Sequence, residues 1–202
     1  MNQSEKRLFL IQSLLNERHS CQKQMIPTDS ERQKILLRGL MNVRRPASIG
    51  REFLQVQDAY LQDETAAKGI TDIADLTPIQ PGLYLWQGDI TTLKCDAIVN
   101  AANSGMTGCY IPNHRCIDNA IHTFAGVELR LTCEQLMEQQ GYPEPTGQAK
   151  ITPALFPTRG TNNCCAWSSS STAMFCLKKV EAAKMIIAEL IAQPITMDRS
   201  VS

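Results

Sequence analysis

Three side chains that can bind a transition metal lie within eight residues of one another, in the segment GCYIPNHRCIDNAIH (108–122). Cys109, His114 and Cys116 offer two thiolates and one imidazole, the donors that zinc prefers. The spacing C-x4-H-x-C differs from that of a zinc finger, and three protein ligands leave one coordination position for water or substrate. From the spacing alone, two interpretations stay open: a zinc site, and a chance cluster of buried thiols beside a polar histidine.

Asp118 follows the last of these cysteines at the predicted start of a helix. Its carboxylate can cap free backbone N–H groups, or it can project towards a ligand at the helix N-terminus, where N–H groups also bind phosphates. Upstream, the loop NAANSGMTG (100–108) follows a predicted strand end. Sheets of α/β proteins bind ligands at such ends, and small residues there allow close approach of the backbone.

The composition predicts a folded protein that does not bind nucleic acid or membranes through its charge. Hydrophobic residues make up 43% and charged residues 20% of the 202 residues, which is enough for a buried core. Lys plus Arg (20) equals Asp plus Glu (20), so no excess positive charge faces phosphates or anionic lipids. No apolar run reaches the roughly 20 residues of a membrane span, and the N-terminus lacks a signal peptide's apolar core. We therefore expect a cytoplasmic protein.

Residues 1–76 are predicted to form a helical N-terminal extension. Apolar residues recur there at helical spacing, and Ser4 is the expected cap of the first helix. Thr28 and Glu31 form a capping-box pattern ahead of the second helix. No chemical cluster lies in this part, so we expect it to pack against the main domain.

Residues 77–202 are predicted to form an α/β domain. LYLWQGDI and CDAIVNAAN have the composition of strands, and a single helical stretch follows them and ends at Gly141. GQAKIT predicts a further strand. From about residue 155 the periodicity is weak. The order strand, strand, helix, strand is typical of an α/β domain.

These motifs resemble those of the ADP-ribose-binding macrodomains. The matching segments are GDIT (88–91), DAIVNAANS (96–104), and DNAIH (118–122) followed by AG. Where other macrodomains have a glycine-rich loop before the Asp, GCYIPNHRCI stands here, which resembles the zinc-containing subgroup; the helical extension and GQAKIT also resemble it. The resemblance implies a three-layer α/β/α fold around a mixed sheet.

The resemblance also implies roles for individual residues. Asp89 would read the adenine amino group, with the backbone N–H of Ile90 beside it. Asn103 would face the distal ribose, and Asp118 would lie next to the scissile bond, so both would be catalytic. A zinc ion would be held beside that ribose by Cys109, His114 and Cys116.

Two further polar residues of this region receive structural interpretations. Asn100 is expected to hold the loop in shape rather than to contact the ligand. His122 matches a helix position that faces the core, and we expect it to be packed with its hydrogen bonds satisfied.

The sequence after residue 154 departs from the family pattern. STAMFCLK (171–178) matches the second phosphate-binding loop, in which Ser171, Thr172 and Phe175 are expected to bind substrate. Alanine, cysteine and lysine stand there in place of two glycines and a proline. Only sixteen residues, 155–170, lead to this loop, too few for a strand, a helix and another strand. We therefore expect an incomplete sheet, with an internal deletion and a truncated C-terminal part.

The expected function is that of a zinc-dependent hydrolase that removes ADP-ribose from a mono-ADP-ribosylated protein. The alternatives are a module that binds ADP-ribose without cleaving it, supported by the altered loop at 171–178, and an inactive remnant, supported by the missing sheet elements. The expected cofactor is Zn²⁺, and the expected partners are ADP-ribose and the modified protein.

Overall fold

The computed structural model describes residues 1–18, 25–95, 97–146, 148–152, 163–168 and 173–174. Within these ranges no helix is both long enough and apolar enough to cross a membrane. The α-helices there are α1 (Gln3–Glu17), α2 (Ser30–Val43), α3 (Arg51–Lys68), α4 (Ile117–Phe124) and α5 (Val127–Gln140). The strands are β1 (Thr71–Asp72), β2 (Pro78–Gln80), β3 (Leu83–Tyr84), β4 (Leu93–Lys94), β5 (Ala97–Ala102), β6 (Lys150–Ile151), β7 (Asn163–Ser168) and β8 (Ala173–Met174). The predicted α/β class with a helical N-terminal extension is confirmed.

The first two helices begin at other residues than the predicted caps. Asn2 caps α1: its side chain accepts a hydrogen bond from the Glu5 N–H (2.9 Å), and the Glu5 carboxylate accepts one from the Asn2 N–H (2.8 Å). Asp29 caps α2 by accepting from the backbone N–H three residues later. The predictions of Ser4 and Thr28 were wrong, because a neighbouring Asn or Asp offers a cap at least as favourable.

The helical extension shares its apolar core with the rest of the chain. The core side chains of α1, α2 and α3 are Leu10, Ile11, Leu14, Leu37, Leu40, Met41, Phe53, Tyr60 and Leu61. Val127 of α5 belongs to the same core, and Phe124 of α4 packs against it. The predicted boundary near residue 76 between the helical extension and the α/β domain stays a prediction. Burial of apolar surface in this shared core stabilises the two parts together.

Strand β5 runs in a mixed sheet and leads directly into the candidate site. It pairs in parallel with β7 over six residues, from Ala97 opposite Asn163 to Ala102 opposite Ser168. Strand β6 is antiparallel to β7, and β8 is antiparallel to both β5 and β7.

One face of β5 is buried against α4 and α5. Alternate residues of a strand share a face, and Ile98, Asn100 and Ala102 are all buried. Ile98 and Ala102 pack with Ile121 of α4 and Leu129 of α5 in a second apolar core. Asn100 therefore places an amide between two apolar residues of the strand, facing the start of α4.

The predicted strand LYLWQGDI is shorter in the structure. Only Leu83 and Tyr84 are in β3, which is antiparallel to β2. Asp89 instead caps a 3₁₀ helix, Ile90–Thr92, because its carboxylate accepts from the backbone N–H of Thr91 (3.0 Å). An Asp that binds nearby backbone N–H groups in this way competes with strand pairing.

The single helical stretch predicted after β5 is two helices, separated at Ala125 and Gly126. Gly126 has φ +81, and a Cβ there would lie 2.2 Å from Nε2 of Gln57. The buried Gln57 side chain accepts a hydrogen bond from the Val127 N–H (3.0 Å), so α3 supplies the cap that α5 lacks. The apolar periodicity continues through the break, and for this reason the pattern did not reveal it.

Replacing Gly126 with alanine should destabilise the protein by more than the same change at Gly141. Both residues have positive φ, which costs a residue with a Cβ about 1–2 kcal/mol. Only Gly126 faces a buried side chain, whereas nothing lies within 4 Å of a Cβ at Gly141. The free energy of unfolding, measured in urea, should fall for Gly126→Ala by at least about 1 kcal/mol more than for Gly141→Ala. Equal losses would contradict the packing of Gln57 against Gly126.

Candidate metal and substrate site

The turn after β5 is organised by Asn103. Its side chain accepts a hydrogen bond from the Gly105 N–H (3.0 Å) and donates one to the carbonyl of Gly108 (3.2 Å). The Asn103 carbonyl accepts from the Met106 N–H, and Met106 has φ +58. Asn103 is exposed, so its amide lies at the surface of the turn. This turn leads to residues 109–116, the metal-ligand segment, which contains the three predicted ligands.

Gly108 immediately precedes the metal-ligand segment and fixes the direction of its backbone. It has φ +84, and a Cβ there would lie 2.7 Å from two ring atoms of His122. The backbone therefore rests directly on the buried imidazole, a contact that requires glycine.

The structure brings together the three predicted metal ligands. The donor atoms of Cys109, His114 and Cys116 all lie within 4.8 Å of one another, and they are the one such group found among the described residues. The Cys109 Sγ and His114 Nδ1 atoms are 3.6 Å apart. Cys116 also caps α4, since its sulfur accepts a hydrogen bond from the Asn119 N–H (3.3 Å).

These donors fit a zinc ion. Bond lengths of about 2.3 Å to sulfur and about 2.0 Å to nitrogen in a tetrahedron require an S···N separation of roughly 3.5 Å, close to the one observed. Partial burial raises the pKa of the Cys116 thiol; the Asn119 N–H opposes this, and the neighbouring Cys109 adds to it. Two thiols held this close favour a divalent cation, which binds them as thiolates.

The buried guanidinium of Arg130 joins this segment to the helical extension. It donates hydrogen bonds to the carbonyls of Thr107 (2.7 Å) and Cys109 (3.4 Å) in the loop. Burial lowers the pKa of Arg130, although the group remains charged. The guanidinium also donates hydrogen bonds to three carbonyls at the C-terminal end of α2, those of Met41 (3.3 Å), Asn42 (2.7 Å) and Arg44 (2.7 Å).

Asp118 is the second residue of α4, and it is buried. Its Oδ1 accepts a hydrogen bond from Nδ2 of Asn100 (2.7 Å). Burial raises the pKa of Asp118 to about 6, while the Asn100 bond and the charge of Arg130 oppose this rise. The Asn100 side chain thus bonds to this carboxyl group, and its expected role of holding the loop in shape stays a prediction.

His122 is packed as expected, but the expectation of satisfied hydrogen bonds was wrong. Neither ring nitrogen has a hydrogen-bond partner within the described part of the chain. Nε2 lies 3.5 Å from Oδ1 of Asp118, yet burial, reinforced by the charge of Arg130, lowers the pKa of His122 to about 3. The imidazole is therefore neutral, and this contact is not an ion pair.

Asp89 and Ile90 lie away from the metal ligands along the chain, at the start of the 3₁₀ helix. One Asp89 oxygen accepts from Thr91, and the other forms an ion pair with Lys68 of α3 (2.8 Å). Burial alone would raise the pKa of Asp89, but Lys68 and Thr91 together hold it below its usual value. The Lys68 ammonium also lies over the Phe124 ring of α4, 3.5 Å from its centre. Ile90 packs against the core formed by β5, α4 and α5.

Three predicted substrate-binding residues, Ser171, Thr172 and Phe175, lie outside the described residues. Conversely, sequence reasoning missed Arg130 completely. Arg130 stands between two leucines, but α5 also carries several other charged and polar residues, so the sequence pattern did not single it out.

Part of this chain is similar in sequence to a known domain family. Residues 99–186 match the family model of the Macro domain. The α/β fold class is thereby confirmed as macrodomain-like.

Two curated proteins that are similar to this chain carry the name "Protein-ADP-ribose hydrolase". One, from Treponema medium, is 58% identical over 159 residues, which are 77% of this chain and 61% of the relative. The other, from Staphylococcus aureus (strain MRSA252), is 49% identical over 145 residues, 71% of this chain and 54% of the relative. The chain thus spans between about half and three fifths of the length of these relatives.

Among solved structures, the crystal structure of a Trypanosoma brucei macrodomain is similar over 78% of this chain and 59% of that chain. The two are 21% identical, and their TM-score is 0.39. At this distance the likeness adds nothing to the sequence match.

Arg130→Met should destabilise the protein by about 3–5 kcal/mol, because the change leaves buried carbonyls of α2 and the loop without their donor. Arg45→Met is the matched control. Arg45 is exposed and lies over the same Tyr110 ring as Arg130, at 5.6 Å against 4.2 Å. Its loss should cost at most about 1 kcal/mol in urea unfolding. Similar decreases in the free energy of unfolding for the two variants would contradict the role assigned to Arg130.

The His122 imidazole should stay neutral down to pH 5, and NMR of the ring ¹³C and ¹⁵N nuclei can detect this, with His122→Gln assigning the signal. In the folded protein its pKa is lowered from 6.5 to about 3. The unfolded chain therefore takes up the proton first, and the stability from this group is lost as the pH falls from about 6.5 towards 3, by up to about 1.4 kcal/mol per pH unit. A ring that titrates near pH 6.5 would contradict its burial.

Proposed function

We propose that this chain is a zinc-dependent hydrolase that removes ADP-ribose from mono-ADP-ribosylated protein. Two relatives, 58% and 49% identical, carry the name of that activity. The single observation that carries the proposal is the convergence of three zinc-type donors immediately beside a buried carboxyl group, that of Asp118. A plain binding module needs neither feature.

In this proposal Cys109, His114 and Cys116 hold the zinc ion. Bound there, zinc would act as a Lewis acid for an oxygen of the substrate or of water. The two thiols and the imidazole come from one short loop and the first turn of α4. The site therefore needs no ligand from the C-terminal part of the chain.

Asp118 is proposed to be the general base. Catalytic carboxyl groups work best when their pKa is close to the working pH, and burial raises the pKa of Asp118 to about 6. Asn100 donates to Oδ1, which fixes the plane of the carboxyl group and leaves Oδ2 for a proton. The neutral His122 behind it adds no positive charge that would weaken the base.

Asn103 is proposed to orient the sugar, and Asp89 with the Ile90 N–H to bind the adenine end. The exposed Asn103 amide projects from the turn that carries the metal ligands. Asp89 is held ionised by Lys68 and Thr91, so it can accept a hydrogen bond from an exocyclic amine. Ser171, Thr172 and Phe175 remain proposed contacts of the diphosphate.

The test uses the zinc-loaded chain and a mono-ADP-ribosylated protein, with released ADP-ribose as the measured product. Asp118→Asn keeps the shape of the side chain but removes the base, so the release rate should fall by at least about 100-fold. Cys116→Ala should abolish both release and zinc retention. Cys95→Ala is the matched control, because Cys95 lies outside the metal group, and both properties should be retained.

Two results would overturn this assignment. Full release by Asp118→Asn would remove the proposed base. Binding of ADP-ribose by the zinc-loaded wild-type chain without any release, shown by calorimetric titration, would assign the chain as a binding module instead.

A further inference from the structure

Helix α2 contacts the metal-ligand segment through Arg38. The Arg38 Nη2 atom donates to the carbonyl of the ligand His114 (3.1 Å) and to Oδ1 of Asn119 (2.9 Å). Its Nε donates to the same Oδ1 (3.3 Å). A guanidinium can only donate, so the side-chain amide of Asn119 must present its oxygen to Arg38 and its nitrogen to the loop.

Asn119 in turn donates hydrogen bonds to two other residues of the segment. Its Nδ2 donates to the carbonyl of Ile111 (3.1 Å), and its backbone N–H donates to the sulfur of the ligand Cys116 (3.3 Å). One pair, Arg38 and Asn119, therefore touches two ligand residues and the middle of the segment that joins Cys109 to His114.

Asn42 adds a second contact from the same face of α2. Residues four apart on a helix share a face, as Arg38 and Asn42 do. The buried Asn42 accepts a hydrogen bond from the Asn113 N–H (2.9 Å) and donates to Oγ1 of Thr123 on α4 (3.0 Å). Asn113 has φ +56, a conformation that this bond helps to hold just before His114.

We propose that Arg38 is a positioning residue for the metal site, and that α2 is part of the machinery which preorganises the ligands. The proposal rests on the zinc site put forward above. Cys109 and His114 are separated by a turn with no regular secondary structure. Their donor atoms therefore converge only if the backbone of this turn is held in place, as it is by the hydrogen bonds to its carbonyls. Groups that orient ligands in this way typically contribute 10- to 100-fold to metal affinity.

The experiment measures the dissociation constant for zinc by chelator competition, and the zinc release rate, for the whole chain. Arg38→Met keeps the aliphatic stem but removes all donors, and zinc should bind about 10- to 100-fold more weakly. Arg38→Lys offers a single point charge in place of the fork and should give an intermediate affinity. Arg32→Met, on an exposed position of the same helix, is the matched control and should bind zinc as the wild type does.

The outcomes separate this inference from the function proposed above. If the wild-type chain and Cys116→Ala bind zinc equally weakly, the zinc site itself fails. If the wild type binds zinc tightly and Arg38→Met binds it within twofold, the site stands and the positioning role is overturned. Should Arg38→Met fail to fold by circular dichroism, the release rate of Arg38→Lys decides: faster release supports the role, and an unchanged rate overturns it.

Discussion

The buried charge of Arg130 is the constraint around which the rest of the structure is arranged. A guanidinium taken out of water must have its donors paired, and here the partners are carbonyls from two places: the C-terminal end of α2, where carbonyls have no helical partners, and the loop before Cys109. The negative end of the α2 dipole faces the same charge. One side chain therefore satisfies the end of a helix and fixes the loop that carries the metal donors. Because α2 belongs to the N-terminal extension, the extension is built into the site.

A group of buried polar side chains lies where chemistry is proposed. Asn100 lies between Ile98 and Ala102 on the buried face of β5 and donates a hydrogen bond to Asp118 of α4. His122, one turn further along α4, lies 3.5 Å from the same carboxylate oxygen. A carboxyl group and an imidazole in such a place are both driven towards their neutral forms, since burial penalises charge. Shifted pKa values of this kind are common at functional sites, which is consistent with the role proposed for Asp118.

Much of this could be predicted from residue types and spacing. Strand β5 and the end of α5 at Gly141 were predicted correctly, because β propensity and glycine at a helix end are local properties. The caps Asn2 and Asp29 were missed because neighbouring residues compete for the same N–H groups. The break at Gly126 was missed because Gln57, its partner, lies on another helix.

The sequence by itself determined that two thiols, an imidazole and a carboxyl group lie close together along a short segment after a buried strand. It also determined the mixed α/β class, since both follow from local composition and periodicity. Only the tertiary structure decided that the donors converge, that Asp118 is buried against Asn100, and that Arg38 and Arg130 donate hydrogen bonds to carbonyls of the segment. These contacts join residues far apart along the chain, and their energies depend on burial, which no local pattern encodes.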